Sequence, residues 1–404
     1  SKYFVPIVLS VAILSFILWT TVGHQSVSFG LTTAVAVLII ACPCALGLAT
    51  PAAIVVGAGK GAENGILIKG GEYLERMQSI DTVVFDKTGT LTKGEPAVTD
   101  IVNFSGGKIS DEEVLMYAAI CEKRSEHPLA GAVIQRAKEK LSGPVPDPDS
   151  FYSLSGKGVH AVYKGHELLL GNEKMLEFNG LREDPVIQSQ VNELRASGKT
   201  VMLLSIDGKI SGAIAAADQV KDHARDALKA LQKMHLEVMM LTGDNAQTAA
   251  AVASETGITR YVAEVLPSEK YEVIKKLQTE EHRKVAMVGD GVNDAPALAQ
   301  ADVGIALGSG SDIAVETGGL ILMKDDLRDV VAGIQLSKKT MNKIKQNLFW
   351  AFVYNVGLIP VAAGLLFVVA GVLLNPIFAG FAMAMSSVTV VTNSLTLRSF
   401  KPKF

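Results

Sequence analysis

The sequence predicts membrane-spanning α-helices that flank a soluble α/β body with a second, α+β domain inserted in it. Hydrophobic residues make up 49% of the 404 residues, and the mean hydropathy of +0.30 is high for a soluble protein. Charged residues are almost absent near both ends and dense through the middle. In that middle region, short β-rich apolar runs alternate with helical patterns, which is typical of a parallel α/β sheet.

Four apolar stretches are each long enough to cross about 30 Å of hydrocarbon. They cover residues 3–22, 29–58, 348–369 and 372–397. Lysines follow the second stretch and precede the third, at positions 60, 69, 338, 339, 343 and 345. Because positive charge favours the cytoplasmic side, we expect an integral protein of the plasma membrane with its soluble body in the cytoplasm.

Three strand-like apolar runs of the soluble body end at acidic or hydroxyl residues. Residues 82–85 precede Asp86, residues 238–241 precede Thr242, and residues 285–288 precede Gly289 and Asp290. In open α/β sheets the chemistry collects at the carboxyl ends of the strands. We therefore expect these three ends to face one site.

A block from residue 96 to residue 212 interrupts this alternation and predicts an inserted domain. The turn Asp207-Gly208 between two apolar runs predicts a hairpin that leads back to the first domain. The predicted organisation is two membrane helices (1–64), a first segment of the α/β domain (65–95), the inserted domain (96–212), a second segment of the α/β domain (213–338) and two further membrane helices (339–404).

The segment of residues 86–90 places a carboxylate after a buried strand and before a glycine-containing turn. An aspartate there can attack a phosphoryl group and hold it as an acyl phosphate, with Mg²⁺ neutralising the transferring oxygens. Asp290 offers a carboxylate for Mg²⁺, Thr242 a hydroxyl, and Lys270 a positive charge near the start of a helix. Each motif alone is also what turns are made of, but all four in this order favour catalysis.

Residues 86–90, 242–245 and 289–294 resemble the signature motifs of P-type ATPases, whose phosphorylation domain has a haloacid-dehalogenase-like, Rossmann-type fold. The resemblance makes the two segments of the α/β domain a phosphorylation domain. It implies that ATP phosphorylates Asp86 and that Asp86, Asp290 and the carbonyl of Thr88 hold Mg²⁺. It implies catalytic roles around the phosphate for the other matching residues, which are Lys87, Thr90, Thr242, Gly243, Asp244, Lys270, Asn293 and Asp294.

Two segments of the inserted domain are each weak signals. Residues 125–128 open a helix-like run, and residues 155–159 lie between two strand-like segments. Alone, a histidine such as His127 more often caps or packs. Together the segments resemble the nucleotide-binding domain of heavy-metal P-type ATPases, which implies an ATP site at Glu122, His127, Pro128, Gly156, Gly158 and Asn172. Residues 197–200 imitate the end of a Walker A loop, but the earlier glycine falls on Glu193, so we expect a surface turn.

The motif Cys42-Pro43-Cys44 lies inside an apolar helix, where reactive groups are costly and usually functional. Pro43 disrupts the helix, which would let both sulfur atoms turn toward the bundle interior. Three cysteines form no disulfide framework, so we expect thiol ligands, and thiolate and thioether ligands select Cu(I).

The last two apolar stretches add polar and sulfur side chains without a single charge between residues 346 and 397. The spacing of Met383 and Ser387 puts both on one helix face. A Zn²⁺ site would be expected to include a carboxylate, so copper is favoured, with Ag(I) left open. The residues match the copper(I) branch of the family at Cys42, Cys44, Tyr354, Asn355, Met383 and Ser387.

The net charge of −3 provides no basic field, which argues against a nucleic-acid partner. We expect membrane lipid and a Cu(I) donor, such as a copper chaperone or a thiol, as partners. The family's actuator domain carries a Thr-Gly-Glu loop, which this sequence lacks. We therefore expect a fragment without the actuator domain and early membrane helices, and slow or no steady-state turnover by the fragment alone.

The leading interpretation is an ATP-driven copper(I) exporter, and three other functions remain open. The first is a zinc- or cadmium-transporting ATPase, and the second is a membrane-anchored phosphatase of the same soluble fold. The third is a metal-binding module with an inactive ATPase, which the intact Asp86, Thr242, Asp290 and Asp294 argue against.

Overall fold

The structure is a computed structural model that describes residues 4–154, 156–181, 184–290, 292–308 and 316–404. The chain divides into two compact units. One contains Ser1–Ser79 and Asp329–Lys403, and the other contains Ile80–Arg328 together with Phe404. Residues 65–79 and 329–338, which were predicted within the α/β domain, therefore group with the apolar helices.

The first unit is mainly helical. Its elements are α1 (Phe4–Thr21), α2 (Val27–Ile40), α3 (Cys44–Glu63), β1 (Ile66–Ile68), α4 (Gly71–Gln78), α13 (Arg328–Pro360), α14 (Leu366–Ala370) and α15 (Pro376–Leu395). By length and composition, three segments of the described chain could cross a membrane: Val27–Glu63, Arg328–Ala370 and Pro376–Ser399. The first predicted span is a shorter apolar helix, Val5–Thr21.

The helix predicted over residues 29–58 is interrupted at the Cys-Pro-Cys motif. Helix α2 ends at Ile40, and α3 begins at Cys44 with Pro43 as its N-terminal cap residue. Proline lacks an N–H group and cannot continue the hydrogen-bond ladder of a preceding helix. The local disruption predicted from Pro43 is therefore confirmed.

Hydrogen bonds of a buried asparagine on α13 link three helices of this unit. The Asn347 side chain donates to the carbonyl of Ala49 at 3.0 Å and to the hydroxyl of Ser394 at 2.8 Å, and its oxygen accepts from Asn393 at 2.8 Å. In an apolar surrounding such groups must find partners within the protein. These contacts join α3, α13 and α15.

The α/β domain belongs to the second unit. Its elements are β2 (Thr82–Asp86), α9 (Ala224–Lys233), β9 (Glu237–Leu241), α10 (Ala246–Thr256), β10 (Arg260–Val262), α11 (Pro267–Thr279), β11 (Val285–Gly289), α12 (Ala295–Gln300), β12 (Val303–Leu307) and β13 (Leu320–Leu322). These strands are parallel neighbours in the order β13-β12-β11-β2-β9-β10. The parallel α/β sheet predicted from the sequence is confirmed.

The inserted domain is an antiparallel sheet with helices on both faces. Its elements are β3 (Thr92–Asn103), α5 (Asp111–Glu122), α6 (Pro128–Lys140), β4 (Ser150–Leu154), β5 (Gly158–Tyr163), β6 (His166–Gly171), α7 (Glu173–Phe178), α8 (Pro185–Ala196), β7 (Thr200–Ile206) and β8 (Lys209–Val220). Its strand order is β3-β8-β7-β6-β5-β4.

Strand β7 shows how this sheet buries both faces. Met202 and Leu204 pack with α5 and α6, whereas Val201 and Leu203 pack with α7 and α8. Successive side chains of a strand point to opposite faces, so an uninterrupted apolar run serves two cores.

Strands β3 and β8 connect the inserted domain to the α/β sheet. They pair from Thr92 and Val220 out to Asn103 and Gly212. The predicted domain boundaries after residues 95 and 212 fall inside these two strands. The predicted hairpin is present, because Ile206 pairs with Lys209 across Asp207-Gly208.

Candidate active site and ion site

Strand β2 lies between β9 and β11, and the three strands end together. Asp86, the last residue of β2, is opposite Leu241 of β9, and Phe85 is opposite Val288 of β11. Thr242 follows β9 immediately, and Asp290 follows β11. The predicted convergence of the three motifs is therefore confirmed.

A buried lysine joins two carboxylates at this edge of the sheet. Lys270 Nζ lies 2.6 Å from Asp86 Oδ1 and 2.7 Å from Asp294 Oδ1, and all three side chains are at least nine-tenths buried. Lys270 reaches them from the first turn of α11, which Pro267 begins. Burial and the neighbouring charge of Asp294 raise the pKa of Asp86 to about 7, while Lys270 opposes the rise.

Three carboxylates form a cluster that fits a magnesium ion. Oxygen atoms of Asp86, Asp290 and Asp294 all lie within 4.8 Å of one another. Burial and then the charge of Asp294 raise the pKa of Asp290, while the positive charge of Lys221 opposes the rise. Hard oxygen donors are what Mg²⁺ prefers.

The phosphorylation loop, residues 87–91, approaches this cluster through a glycine. Gly89 has a φ of +72°, and a Cβ atom there would lie 1.9 Å from Asp290 Oδ2. A side chain at this position would both strain the backbone and displace the carboxylate. Glycine therefore lets the loop approach the acidic cluster closely.

The remaining motif residues surround this edge of the sheet. Lys87 is buried and its Nζ lies 2.5 Å from Asp244 Oδ2, while the hydroxyl of Thr242 accepts from the backbone N–H of Asp244 at 3.1 Å. Thr90 is buried, and its hydroxyl has no hydrogen-bond partner among the described residues. Exposed positions are occupied by Thr88, Gly243 and Asn293, and Gly291 lies outside the described residues.

The sequence did not single out Lys221, which contacts the phosphorylation loop. Its buried ammonium group donates to the carbonyl of Gly89 and to a carboxylate oxygen of Asp325. Both partners are more than a hundred positions away along the chain, and no motif marks the lysine. Its place directly after the long strand β8 was the available signal.

The inserted domain contains a cavity of about 580 Å³ at the predicted nucleotide site. Glu122 lines it and is 5% exposed, and its Oε2 has no hydrogen-bond partner among the described residues. Burial raises the pKa of Glu122, although Ser125 and His127 counteract this. An unpaired buried acceptor fits a ligand that donates a hydrogen bond, such as the amino group of adenine.

The same cavity is lined by four further residues of the predicted nucleotide site, His127, Gly156, Gly158 and Asn172. His127 also caps α6, because its Nδ1 accepts from the N–H of Leu129 at 3.2 Å, so the helix-cap interpretation and the cavity position hold together. The Asn172 amide donates to the carbonyl of Gly156 at 2.9 Å. Ser155 and the side chain of Pro128 lie outside the described portion of the chain.

Gly158 occupies a position that no other residue fits. Its φ is +152°, and a Cβ atom would lie 2.3 Å from the carbonyl oxygen of Leu170 and 2.5 Å from the Cα of Gly171. Gly156 has a φ of +71°, and among the described residues a Cβ atom added there would meet nothing within 4 Å apart from its chain neighbours. Both glycines shape the loop that borders the cavity.

The expectation of free thiols at the Cys-Pro-Cys motif is corrected by the structure. Cys42 and Cys44 are joined by a disulfide, with their Cα atoms 5.5 Å apart. Because the helix is broken at Pro43, residues two positions apart present their sulfur atoms to each other, which a regular helix would prevent. In this oxidised form neither sulfur is a thiolate ligand, whereas the reduced form would offer two adjacent sulfur donors.

Other predicted ion-site residues lie within the same helical unit. Cys42 packs against the cluster that contains the buried Met383, and Asn355 is buried with an unpartnered Oδ1 among the described residues. Tyr354 lies 3.3 Å from the hydroxyl of Thr389. Ser387, which helical spacing places on one face with Met383, is half-buried, and the neighbouring Ser386 is buried.

Comparisons with known proteins agree with this geometry. Residues 80–302 match the family of haloacid dehalogenase-like hydrolases. The chain is 51% identical over 400 residues to a probable copper-exporting P-type ATPase of Archaeoglobus fulgidus, and 48% identical over 402 residues to a copper-exporting P-type ATPase of Staphylococcus aureus. The chain belongs to the haloacid dehalogenase-like hydrolases. The alignments cover 99% of this chain and 48% of each relative, so the chain spans about half the length of these relatives.

Solved structures show the same likeness. This chain matches a zinc-transporting PIB-type ATPase in the E2.Pi state with a TM-score of 0.85 and 35% identity, over 98% of this chain and 63% of the other. It also matches the catalytic domain of a CPx-ATPase with a TM-score of 0.52 and 29% identity, over 70% of this chain and 98% of that domain.

Proposed function

We propose that this chain is the catalytic and ion-binding portion of an ATP-driven copper(I) exporter that works through an aspartyl phosphate on Asp86. The observation that carries the proposal is the buried carboxylate of Asp86 at a strand end, held 2.6 Å from Lys270 and within 4.8 Å of two further carboxylates. Its high identity to proteins named as copper exporters supports the choice of activity.

The residues at the strand ends account for the chemical step. A carboxylate oxygen of Asp86 attacks the γ-phosphorus of ATP, the bond to the β–γ bridging oxygen breaks, and ADP leaves with that electron pair. Lys270 places a positive charge beside the attacking carboxylate. Asp86, Asp290 and the Thr88 carbonyl would hold a magnesium ion, which would supply further positive charge to the transferring oxygens.

The nucleotide is proposed to bind in the cavity of the inserted domain. Glu122 offers the unpaired acceptor, and His127 and Asn172 line the same space. Gly156 and Gly158 keep the adjoining loop free of side chains. This arrangement supports ATP, rather than a small phosphate ester, as the phosphoryl donor.

Soft donors support copper(I) as the transported ion. Cys42 and Cys44, once reduced, bring two sulfur atoms together near the cluster of Met383, and Asn355 adds an unpaired oxygen. Thiolate and thioether ligands favour monovalent copper, and silver(I) shares that preference. Zinc is the alternative transported ion, because the chain is 35% identical to a zinc-transporting ATPase.

The setting that we propose is the plasma membrane, with the α/β unit in the cytoplasm and Cu(I) delivered by a copper chaperone or a thiol. The three apolar segments support a membrane location. Because the chain spans about half the length of its relatives, we propose that complete transport also needs an actuator domain and further membrane helices.

The test is acid-stable labelling from γ-labelled ATP in the full-length protein, with Cu(I), Ag(I) or Zn²⁺ supplied under reducing conditions. Asp86→Asn and the double variant Cys42→Ser/Cys44→Ser should both abolish metal-dependent labelling. Cys121→Ser is the matched control, because Cys121 is a free cysteine buried in the inserted domain. Labelling that depends on zinc alone would replace copper by zinc, and absence of labelling with every metal would refute the proposal.

A further inference from the structure

Lys221 donates two hydrogen bonds to the phosphorylation loop, residues 87–91. Its backbone N–H donates to the carbonyl of Leu91 at 2.9 Å, and its side-chain ammonium group donates to the carbonyl of Gly89. The first contact continues the ladder in which Val220 pairs with Thr92. One residue therefore holds the carboxyl-terminal half of the loop through both main chain and side chain.

The Lys221 side chain is buried, and its positive charge is paired with a carboxylate. Its side chain is 5% exposed, and it also donates to Asp325, whose side chain is about half exposed. A buried ammonium group costs free energy unless hydrogen bonds and an opposite charge compensate it. A carbonyl and a carboxylate satisfy two of its three donors, so the contact with Gly89 helps to permit the burial.

The carbonyl that Lys221 holds belongs to the glycine that faces the acidic cluster. Gly89 approaches Asp290 so closely that no side chain fits between them. Movement of Gly89 would therefore alter the space in which Asp86 meets its phosphoryl donor.

Lys221 also lies where the chain returns from the inserted domain. Strand β8 ends at Val220, and the carbonyl of Lys221 accepts from the N–H of Ala224 at the start of α9. Asp325 belongs to the segment that follows β13. The lysine thus ties the loop, the returning strand and a third segment together.

We propose that Lys221 is a positioning residue for phosphoryl transfer, which fixes the loop between Gly89 and Leu91 against the acidic cluster. The inference rests on the proposed function, since it concerns the phosphorylation of Asp86. Among the described contacts Lys221 itself touches neither Asp86 nor Lys270, so its effect passes through the loop.

The test compares Lys221→Met, Lys221→Arg and Asp325→Asn in the full-length protein. Lys221→Met should slow phosphoenzyme formation at saturating ATP by about 10- to 100-fold, because small misplacements of reacting groups carry penalties of this size. The affinity for ATP, measured by equilibrium binding, should stay unchanged, since the cavity at Glu122 is formed by other elements. Lys93→Met is the matched control, because Lys93 is on neighbouring β3 with a side chain that is 44% exposed.

The other two variants separate the contact from general stability. Lys221→Arg should be faster than Lys221→Met, because it keeps a buried donor with positive charge. Asp325→Asn keeps the ammonium group and should show a milder loss of rate, which provides the test if Lys221→Met does not fold. Equal rates for native protein and Lys221→Met, equal rates for the Met and Arg variants, or a parallel loss of ATP affinity would each overturn the inference.

Labelled acetyl phosphate distinguishes this inference from the proposed function. It donates phosphate without using the nucleotide cavity, so Lys221→Met should still label more slowly than native protein with this donor. If native protein is labelled by acetyl phosphate but not by ATP, the proposed function fails while the positioning role is still measured. If both donors label native protein and Lys221→Met at equal rates, only the positioning role fails.

Discussion

Replacement of Gly198 by alanine tests a close contact between the inserted domain and helix α10 of the α/β domain. The loop after α8, predicted as a surface turn, packs against α10: a Cβ atom on Gly198 would lie 2.9 Å from the Cβ of Ala251 and 3.0 Å from the Cα of Thr248. Helix α10 begins directly after the Thr242 motif, with Asn245 as its N-cap. The inserted domain thereby contacts the helix that follows the Thr242 motif of the active site.

The magnitude follows from two separable effects. Gly198 has a φ of +75°, and a left-handed conformation costs an alanine about 1–2 kcal/mol. Overpacking against α10 adds about 1–3 kcal/mol. Gly208 is the matched control, because its φ is +76° and nothing lies within 4 Å of the added atom.

The assay is thermal unfolding of native protein, Gly198→Ala and Gly208→Ala under identical conditions. The overpacking cost should lower the unfolding midpoint of Gly198→Ala by roughly 2–12 °C below that of Gly208→Ala, at about 2–4 °C per kcal/mol. Ala251→Gly removes the nearest atom and should make the double variant less destabilised than the sum of the single changes. Equal midpoints for the two alanine variants, or strict additivity with Ala251→Gly, would refute the contact.

Three further changes probe the nucleotide cavity and the acidic cluster. Gly158→Ala should weaken ATP binding far more than Gly156→Ala, because only the former drives a Cβ atom into the backbone of β6; equal affinities in equilibrium binding would contradict this. Since burial raises the pKa of Glu122 above its unfolded value, native protein should lose stability relative to Glu122→Gln as the pH rises through that raised pKa. Unfolding of both proteins from about pH 4 to pH 8 checks this, and a constant difference would argue against it. Lys270→Met should cost about 3–5 kcal/mol in Mg²⁺-free chemical unfolding by leaving buried carboxylates unpaired, and added Asp294→Asn should recover some of that loss; full native stability of Lys270→Met would exclude that pairing.

Local sequence patterns predicted the sheet edge that carries Asp86. Apolar runs of strand length followed by Asp, Thr or Gly-Asp are short-range signals, and the right-handed parallel α/β topology brings such strand ends together. Lys270 was likewise predictable, because Pro267 marks the first turn of its helix. The bounds of the inserted domain were less accurate, since β3 and β8 continue through them as one antiparallel ladder.

The ion site shows where sequence spacing is insufficient. A helical period predicts that Met383 and Ser387 share a face, but the rotation of α15 against its neighbours decides which serine is buried, and this is Ser386. The pairing of Cys42 with Cys44 likewise depends on how the chain turns at Pro43.

The fold class, the motifs around Asp86, Thr242 and Asp290, and the apolar segments could be predicted from the sequence, because each depends on residues that are close together along the chain. Three features follow only from the tertiary fold: Lys221 holds Gly89, Gly198 touches α10, and one oxygen of Glu122 has no hydrogen-bond partner in the described part of the chain. Each of these depends on which distant groups exclude water from a side chain, and a charged or small residue gives no local sign of that burial.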